Sequence, residues 1–465
     1  MIQKLGKKFT DIFQKNMPDA FVFALILTLI TGLLALAWAE VTPFKVLESW
    51  YDGFWMLLEF GMQMVLLVIT GYSIALSPLV KKGIDILARK IKSPNQVYAL
   101  VVFVGSLLCM VSWGWVVITA VLGRELALRI KGINYPFLIA CVYFSNVGWV
   151  TGLSSSIPLL LNTKGNFIIE AGILESTIPT TQTLGAGLNI AVLVSFVLIA
   201  PFLMRFLLPK TGTIQTLESM SDPETQQNSV SIHEEARLLT LPYKAASDLM
   251  NNSGLLQYLI ALLGILYLGS YFIDKGFDLN LNIMIFLFLM LGLWLHKTPM
   301  RYVIAMKRAS GNVSGILFQF PFYAGIMGIM IYTGLGEKLA YGLASFATLD
   351  SIPFFSFLTG GVVNFAIPSA GGEFAVIGPT IIKAVQEISV GLPPEEQTAL
   401  IARAAMSIAY GESLTNLMQP FFLLLIIPIM AVGIKIQARD IMGYLVIPFF
   451  VLFVLQAALV SWWPL

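Results

Sequence analysis

Charge is scarce in this sequence. Of its 465 residues only 12% are Asp, Glu, Lys or Arg, about half the share found in an ordinary soluble protein. A chain of this length cannot coat a water-facing surface with so few charges, so a soluble fold is excluded. Cysteine and histidine are scarcer still. The two cysteines, Cys109 and Cys141, rule out a disulfide framework or a thiolate metal centre, and the two histidines, His233 and His296, rule out a multi-histidine metal cluster. No His-Glu-x-x-His motif occurs. Redox, metal and cofactor chemistry are not expected, nor is an enzyme or a nucleic-acid partner. The net charge of +2 says little, because in a membrane protein the placement of basic residues matters more than their sum. What the sequence has in excess is apolar residues, 57% of the chain, gathered in blocks of about twenty rather than in periodic stripes. It reads as a polytopic membrane protein.

The blocks lie at 20–39, 54–76, 97–123, 135–162, 187–208, 254–273, 281–295, 313–334, 354–382, 398–432 and 441–463. Crossing about 30 Å of hydrocarbon takes roughly 20 helical residues, so most blocks fit one crossing. The first follows Lys4, Lys7, Lys8 and Lys15 and ends in Ala37-Trp38-Ala39, which raises a cleaved signal peptide. Its apolar run exceeds a signal core of about 7–15 residues and further spans follow, so a retained span is expected. The polar stretch at 211–250, with Ser221-Asp222-Pro223-Glu224 and His233-Glu234-Glu235, reads as a solvated linker.

Positive residues stay on the cytoplasmic side, and treating every block as a crossing breaks that rule. The segments 81–92 (Lys81, Lys82, Arg89, Lys90, Lys92) and 124–131 (Arg124, Arg129, Lys131) flank one block, yet both are basic. Reading 97–123 as a re-entrant hairpin, and 354–382 as another from the opposite side, restores alternation. Basic residues then divide 22 inside to 5 outside, the five being Lys45, Lys164, Lys275, Lys338 and Lys383, with Arg403 left in the membrane. This gives nine crossings and two hairpins, with the N-terminus cytoplasmic.

Weak self-similarity runs through the same frame. Gly32 matches Gly292, Thr42-Pro43 matches Thr298-Pro299, Thr70-Gly71 matches Thr333-Gly334, Ser112-Trp113-Gly114 matches Ser369-Ala370-Gly371, and Leu138-Ile139-Ala140 matches Leu400-Ile401-Ala402, all at offsets of 256 to 263. Such order points to duplication, and the sidedness makes the halves opposite in topology, an architecture of secondary transporters. The expected fold is therefore an all-α polytopic membrane protein of two inverted-topology repeats, each with a re-entrant helical hairpin and a discontinuous transmembrane helix. Its expected segments are a cytoplasmic N-terminus (1–19), a first repeat (20–208), a polar cytoplasmic linker (209–253), an additional span (254–273) and a second repeat (274–465).

Chemistry is expected where embedded helices break. Ser112-Trp113-Gly114 interrupts the first hairpin, and Pro368-Ser369-Ala370-Gly371-Gly372-Glu373 the second. The spans after them carry Ser145-Asn146 with Ser154-Ser155-Ser156, and Glu412-Ser413-Leu414-Thr415-Asn416. Backbone freed at membrane depth must line a polar cavity or be covered by protein. Half-helix N-termini meeting there would face an anion, while carbonyls and hydroxyls could coordinate a cation. The bland readings are close helix packing for the glycines and back-bonding for the hydroxyls. Candidate substrate-binding residues are Ser112, Gly114, Ser145, Asn146, Ser154, Ser369, Gly371, Gly372, Thr415 and Asn416. Glu373 and Glu412, carboxylates at membrane depth, are the candidates for ion coupling, against a plain helix-capping role. A sodium ion would sit near Ser112, Asn146, Ser369 and Asn416. Arg403 follows the polar Pro393–Gln397 stretch within two turns, which suits snorkelling to the interface; attraction of a carboxylate is the alternative.

With these residues in view, the chain resembles the bacterial short-chain fatty acid transporter family, within the larger ion transporter superfamily. The resemblance runs nearly end to end through Met17-Pro18-Asp19-Ala20, Asp52-Gly53-Phe54-Trp55, Phe60-Gly61-Met62-Gln63, Asn364-Phe365-Ala366-Ile367-Pro368-Ser369, Ala409-Tyr410-Gly411-Glu412, Met418-Gln419-Pro420-Phe421 and Asp440-Ile441-Met442-Gly443-Tyr444. It implies cation-coupled symport of monocarboxylates such as butyrate or acetoacetate across the bacterial inner membrane, by a homodimer whose transport domain moves as an elevator. Two departures matter. Sodium-coupled relatives often carry Ser-Asn-Thr at both tips, where this chain has Ser112-Trp113-Gly114 and Ser369-Ala370-Gly371, so the cation stays open between sodium and proton. Ala370 also replaces one of three glycines expected after Pro-Ser. Trp113 and Trp115 could shape a pocket for a short acyl chain or anchor at the interface. On the same fold, a dicarboxylate or other small anion is the alternative substrate, though the tips carry no basic residue to meet a second carboxylate. A passive channel and an intramembrane hydrolase using Ser154–Ser156 or the Glu373–Glu412 pair are the remaining readings.

Overall fold

The computed structural model describes residues 2–164, 166–208, 214–221, 231–241, 243, 245–276 and 281–464. The linker run Asp222-Pro223-Glu224 lies outside these residues. Among the described residues every extended element is helical, with one isolated antiparallel bridge, Ser221 to Ile434. That is the expected class, since a helix satisfies its own backbone where lipid offers no partner.

Among the described residues, eight helices are long and apolar enough to cross a membrane, and Pro394–Met418 with Leu423–Met430, bent by 46°, makes a ninth. The number equals that expected from sequence, but the membership differs. Pro94–Val111, expected as a hairpin arm, is long enough to span, whereas Asn282–His296, expected as a crossing, is shorter. Side-chain acceptors set several helix starts. The Asp19 carboxylate accepts from Phe21 N at 2.9 Å, Thr42 Oγ1 from Lys45 N at 3.2 Å, and Asn134 Oδ1 from Phe137 N at 3.2 Å. Each relieves a first-turn N–H that no helical carbonyl can reach.

The order of elements recurs. An apolar helix (Ala20–Leu34, Leu281–His296), a short proline-led helix (Pro43–Gly53, Pro299–Ala309), a longer apolar helix (Leu58–Ala75, Ser314–Tyr332) and another short helix (Pro78–Ala88, Leu335–Ala344) precede each helix–break–helix unit. A broken span follows each unit, and Gly187–Leu207 and Val446–Trp462 close the two series. Gly254–Lys275 stands outside the pattern.

The first hairpin returns to where it began. Arg129, at its end, pairs with Asp85, just before its start, and with Glu125 at 2.6 Å. The Tyr98 hydroxyl, near the base of its first arm, accepts from Asn134 N at 2.7 Å. One feature differs from the sequence reading, which assigned 124–131 to a connection. The helix Val116–Arg129 runs through it, and Arg124 is buried. Its guanidinium donates to Met430 O and Val432 O, both at 2.9 Å, completing the carbonyl end of Leu423–Met430, where a cation is favoured.

In the second half, Ile352–Val363 lies in backbone contact with Pro394–Thr415. A Cβ at Gly411 would stand 1.9 Å from Phe357 O, and one at Gly360 would stand 2.3 Å from Ile408 O. Small residues that let helices approach this closely are the usual means of packing where no water drives association.

Candidate functional site

The second hairpin and the second broken span meet at their breaks. Ile352–Val363 ends at Asn364, and the chain runs through Pro368 and an extended Ser369 (φ −150°) before Ala370–Ile388 begins. Pro394–Thr415 gives way to a short 3-10 turn and an extended Gln419 (φ −131°), and Pro420 follows. The amides and hydroxyls freed at these breaks pair with one another. Asn364 Nδ2 donates to Thr415 Oγ1 at 2.9 Å and to Asn416 Oδ1 at 3.0 Å. Gln419 Nε2 donates to Asn416 Oδ1 at 2.9 Å and to Asn364 O at 3.1 Å. Asn416 Nδ2 reaches the Glu412 carboxylate at 3.2 Å. All five residues are buried.

Several buried acceptors around this network have no partner among the described residues: Asn364 Oδ1, Gln419 Oε1, the second oxygen of Glu412 and both oxygens of Glu373. Buried polar atoms are normally satisfied. A group of acceptors left open together is the composition of a site for a cation or a proton-bearing ligand. Glu373 is fully buried in the first turn of its helix, with its backbone N–H on Ser369 O at 2.7 Å.

The first half supplies the facing wall. Ser112 is extended (φ −154°) between Pro94–Val111 and a 3-10 turn that carries Gly114. Trp113 N donates to Ser154 Oγ at 2.9 Å, and Leu153 N to Met110 O at 2.7 Å, so tip and broken span are pinned together. Asn146, just before the 3-10 turn Val147–Thr151, keeps a buried Oδ1 without a partner among the described residues. Ser145 differs: its hydroxyl bonds its own helix at Val142 O, 2.7 Å away, and packs where a Cβ on Gly105 would collide with it.

The halves then interlock. The Tyr143 hydroxyl donates to Asn416 O at 2.5 Å and Gln419 O at 3.1 Å, and Ser413 Oγ to Val147 O at 2.5 Å. At the second tip, a Cβ on Gly371 would lie 3.7 Å from the Ser156 Cβ, and one on Gly372 would lie 3.1 Å from Met327. Trp113 sits within the protein among Phe60, Trp149 and Phe422, at centroid distances of 6.1 to 6.3 Å. Trp115 has a buried indole N–H without a partner among the described residues.

Sequence reading placed Thr415, Asn416 and Glu412 here but passed over Asn364, Gln419 and Tyr143. Amides at membrane depth are costly for the same reason as carboxylates, and weighing them so would have singled out Asn364 and Gln419. Nothing in the sequence pairs Tyr143 with the other half. Arg403 donates from Nη2 to Val460 O at 2.9 Å and borders a cavity of about 310 Å³ with Asn189, Tyr410 and Trp463. A larger cavity of about 460 Å³ reaches from Pro420 past Gln319 to Asp19, Lys435 and Gln437.

The family model described as short chain fatty acid transporter matches residues 1–461. The chain belongs to the short-chain fatty acid transporter family. Two relatives named for that family are a protein of Escherichia coli strain K12, 37% identical over 446 residues, and one of Haemophilus influenzae, 36% identical over 449 residues. Each alignment covers 96% of both chains. Among solved structures, MtrF of Neisseria gonorrhoeae, described as illuminating a class of antimetabolite efflux pumps, aligns with a TM-score of 0.42 at 16% identity, over 98% of this chain and 97% of that one. The YdaH transporter of Alcanivorax borkumensis, described as revealing an unusual topology, aligns at 0.42 and 17%, over 96% and 98%. This family member is accordingly a membrane transporter and not an enzyme.

Proposed function

We propose that the protein is a secondary active transporter taking up short-chain monocarboxylates, of the butyrate or acetoacetate type, by cation-coupled symport. The observation that carries this is the buried network of Asn364, Glu412, Thr415, Asn416 and Gln419, which joins a hairpin tip to a broken helix and leaves carboxylate and amide oxygens open. Open acceptors suit a sodium ion or a proton. The hydrogen bonds found in the network include none from Lys or Arg, so an anion entering it meets neutral donors and the bound cation. One negative charge is the natural limit for such a partner, since a second carboxylate would be desolvated without compensation.

In this reading Ser112, Gly114, Asn146, Ser154, Ser369, Gly371, Gly372, Thr415 and Asn416 frame the substrate, with Ser145 supporting them from its helix. Glu373 and Glu412 carry the coupling. Sodium, where it is the cation, lies near Ser112, Asn146, Ser369 and Asn416. Trp113 limits the length of the acyl chain. The 460 Å³ cavity is the route between site and cytoplasm, with Lys435 at its outer end. The basic-residue count supports a cytoplasmic N-terminus in the bacterial inner membrane, with the two halves inverted. The hairpins and broken spans form the moving part of an elevator-like homodimer, and the exposed apolar faces of the outer spans meet lipid and the second copy.

The deciding experiment is uptake of labelled butyrate and acetoacetate into proteoliposomes, with sodium and proton gradients imposed separately. Accumulation against a concentration gradient is expected with at least one of the two. If neither gradient drives it, the proposal is wrong; if succinate accumulates and butyrate does not, the substrate class is wrong.

A further inference from the structure

Away from the transport site, a cavity of about 390 Å³ opens between the start of Pro78–Ala88, the turn from Leu295 to Arg301, and the linker residues Ser231 to His233. Among the described residues its lining includes Lys81, His233, His296, Lys297, Arg301 and Arg308, and no carboxylate. Arg308 is engaged by Glu235, which fastens the linker helix Ile232–Leu238 to Pro299–Ala309. His296 is buried with Nε2 2.8 Å from Ser73 O, which fixes one wall to the neighbouring span. The remaining cations face a shared space with no negative group in its described lining, and like charges so confined favour a bound anion.

Backbone geometry adds a second, independent sign. Lys297 holds φ at 68°, a left-handed conformation in which glycine would sit without strain. Lys297 is one of the lining residues, so a strained lysine is kept at the edge of the cavity where glycine would be the more stable choice. Beside it, Thr298 Oγ1 is buried with no hydrogen-bond partner among the described residues. Arg and Lys grouped around a polar pocket at the end of membrane helices match the oxygen-rich, tetrahedral surface of an anionic phosphate. A monocarboxylate presents only two oxygens in one plane, so the transported anion is a poorer match.

We infer that this cavity is a binding site for a phosphate ester, which neutralises Lys81, Lys297 and Arg301 and locks the linker helix against the transporter's amphipathic helices. The ester is either the headgroup of an anionic phospholipid or a soluble phosphorylated compound. The two sources share the recognising chemistry and differ in what must be supplied.

The test uses the full chain, purified in a neutral detergent, and follows thermal unfolding with added phosphatidylglycerol, phosphatidylcholine or inorganic pyrophosphate. Phosphatidylglycerol or pyrophosphate should raise the Tm of the wild type, and phosphatidylcholine should not. A response to phosphatidylglycerol alone assigns the lipid source; a response to pyrophosphate assigns the soluble one. In K297Q/R301Q the half-saturating concentration should rise on the order of tenfold or more. Lys297→Gly covers the case in which the double variant fails to fold. It relieves the left-handed strain, so its ligand-free Tm should rise while its response to the anion falls. No anion-dependent shift in the wild type, or an undiminished one in Lys297→Gly, overturns the site.

Discussion

At the scale of single residues, the site is a contest between side chains that hold the protein together and side chains left open for a ligand. Asn364 does both. Its Nδ2 bonds Thr415 and Asn416 while its Oδ1 stays unpartnered among the described residues. Replacing Asn364 by Ala removes two buried hydrogen bonds, to Thr415 Oγ1 and Asn416 Oδ1, and losses of this kind cost about 1–3 kcal/mol. Butyrate uptake in proteoliposomes should fall by roughly 5- to 150-fold, the factor that such an energy represents. Tyr143→Phe removes one hydroxyl that braces Asn416 O and Gln419 O from the other half. It should lower uptake less than Asn364→Ala while leaving the protein monodisperse. Glu412→Gln keeps the size of the side chain and removes its charge. If this residue relays the coupling proton, gradient-driven accumulation should vanish while exchange of labelled for unlabelled butyrate persists. Loss of exchange as well would make Glu412 a ligand of the substrate or its cation.

At the scale of elements, the four breaks were legible from Ser112-Trp113-Gly114, the run 152–158, Pro368-Ser369 and Pro420, which interrupt apolar blocks, although the second hairpin breaks at 364–369 and its glycines, Gly371 and Gly372, already belong to the helix Ala370–Ile388. The three-dimensional consequence of the breaks was not legible. The contact of Ile352–Val363 with Pro394–Thr415 rests on Gly360 and Gly411 facing backbone carbonyls, which no local pattern announces. Gly411→Ala should cost about 1–3 kcal/mol through overpacking, seen as a lower Tm in detergent. Gly269→Ala is the natural control. It lies in Gly254–Lys275, and a Cβ added there would meet no described atom within 4 Å. Alanine at this position should leave the Tm unchanged or raise it, by up to about 1 kcal/mol of helix propensity. Arg124 teaches the same lesson from the other side. Its charge near a helix end suggested a connecting loop, yet it caps Leu423–Met430 through Met430 O and Val432 O, a partner some 306 residues away.

At the scale of the whole molecule, the proposed sidedness rests on the first hairpin entering and leaving on one face. The Asp85–Arg129 ion pair and the Asn134–Tyr98 hydrogen bond hold its two ends side by side. Cysteines placed at the exposed Lys82 and Lys131 should therefore react with an impermeant thiol reagent from the same membrane face. Both native cysteines are buried, so the background is low. Reaction from opposite faces would make the hairpin a crossing and reverse everything after it.

Local composition by itself determined that the chain lives in a membrane, roughly where its helices break and which carboxylates fall within apolar blocks, because each depends on residues close together in sequence. Which polar groups share one site was decided only by the tertiary structure. Asn364 meets Asn416 and Gln419, Tyr143 reaches across from the other half, and Arg124 closes a distant helix because packing brings remote backbone together. A buried donor must take whichever acceptor that packing supplies.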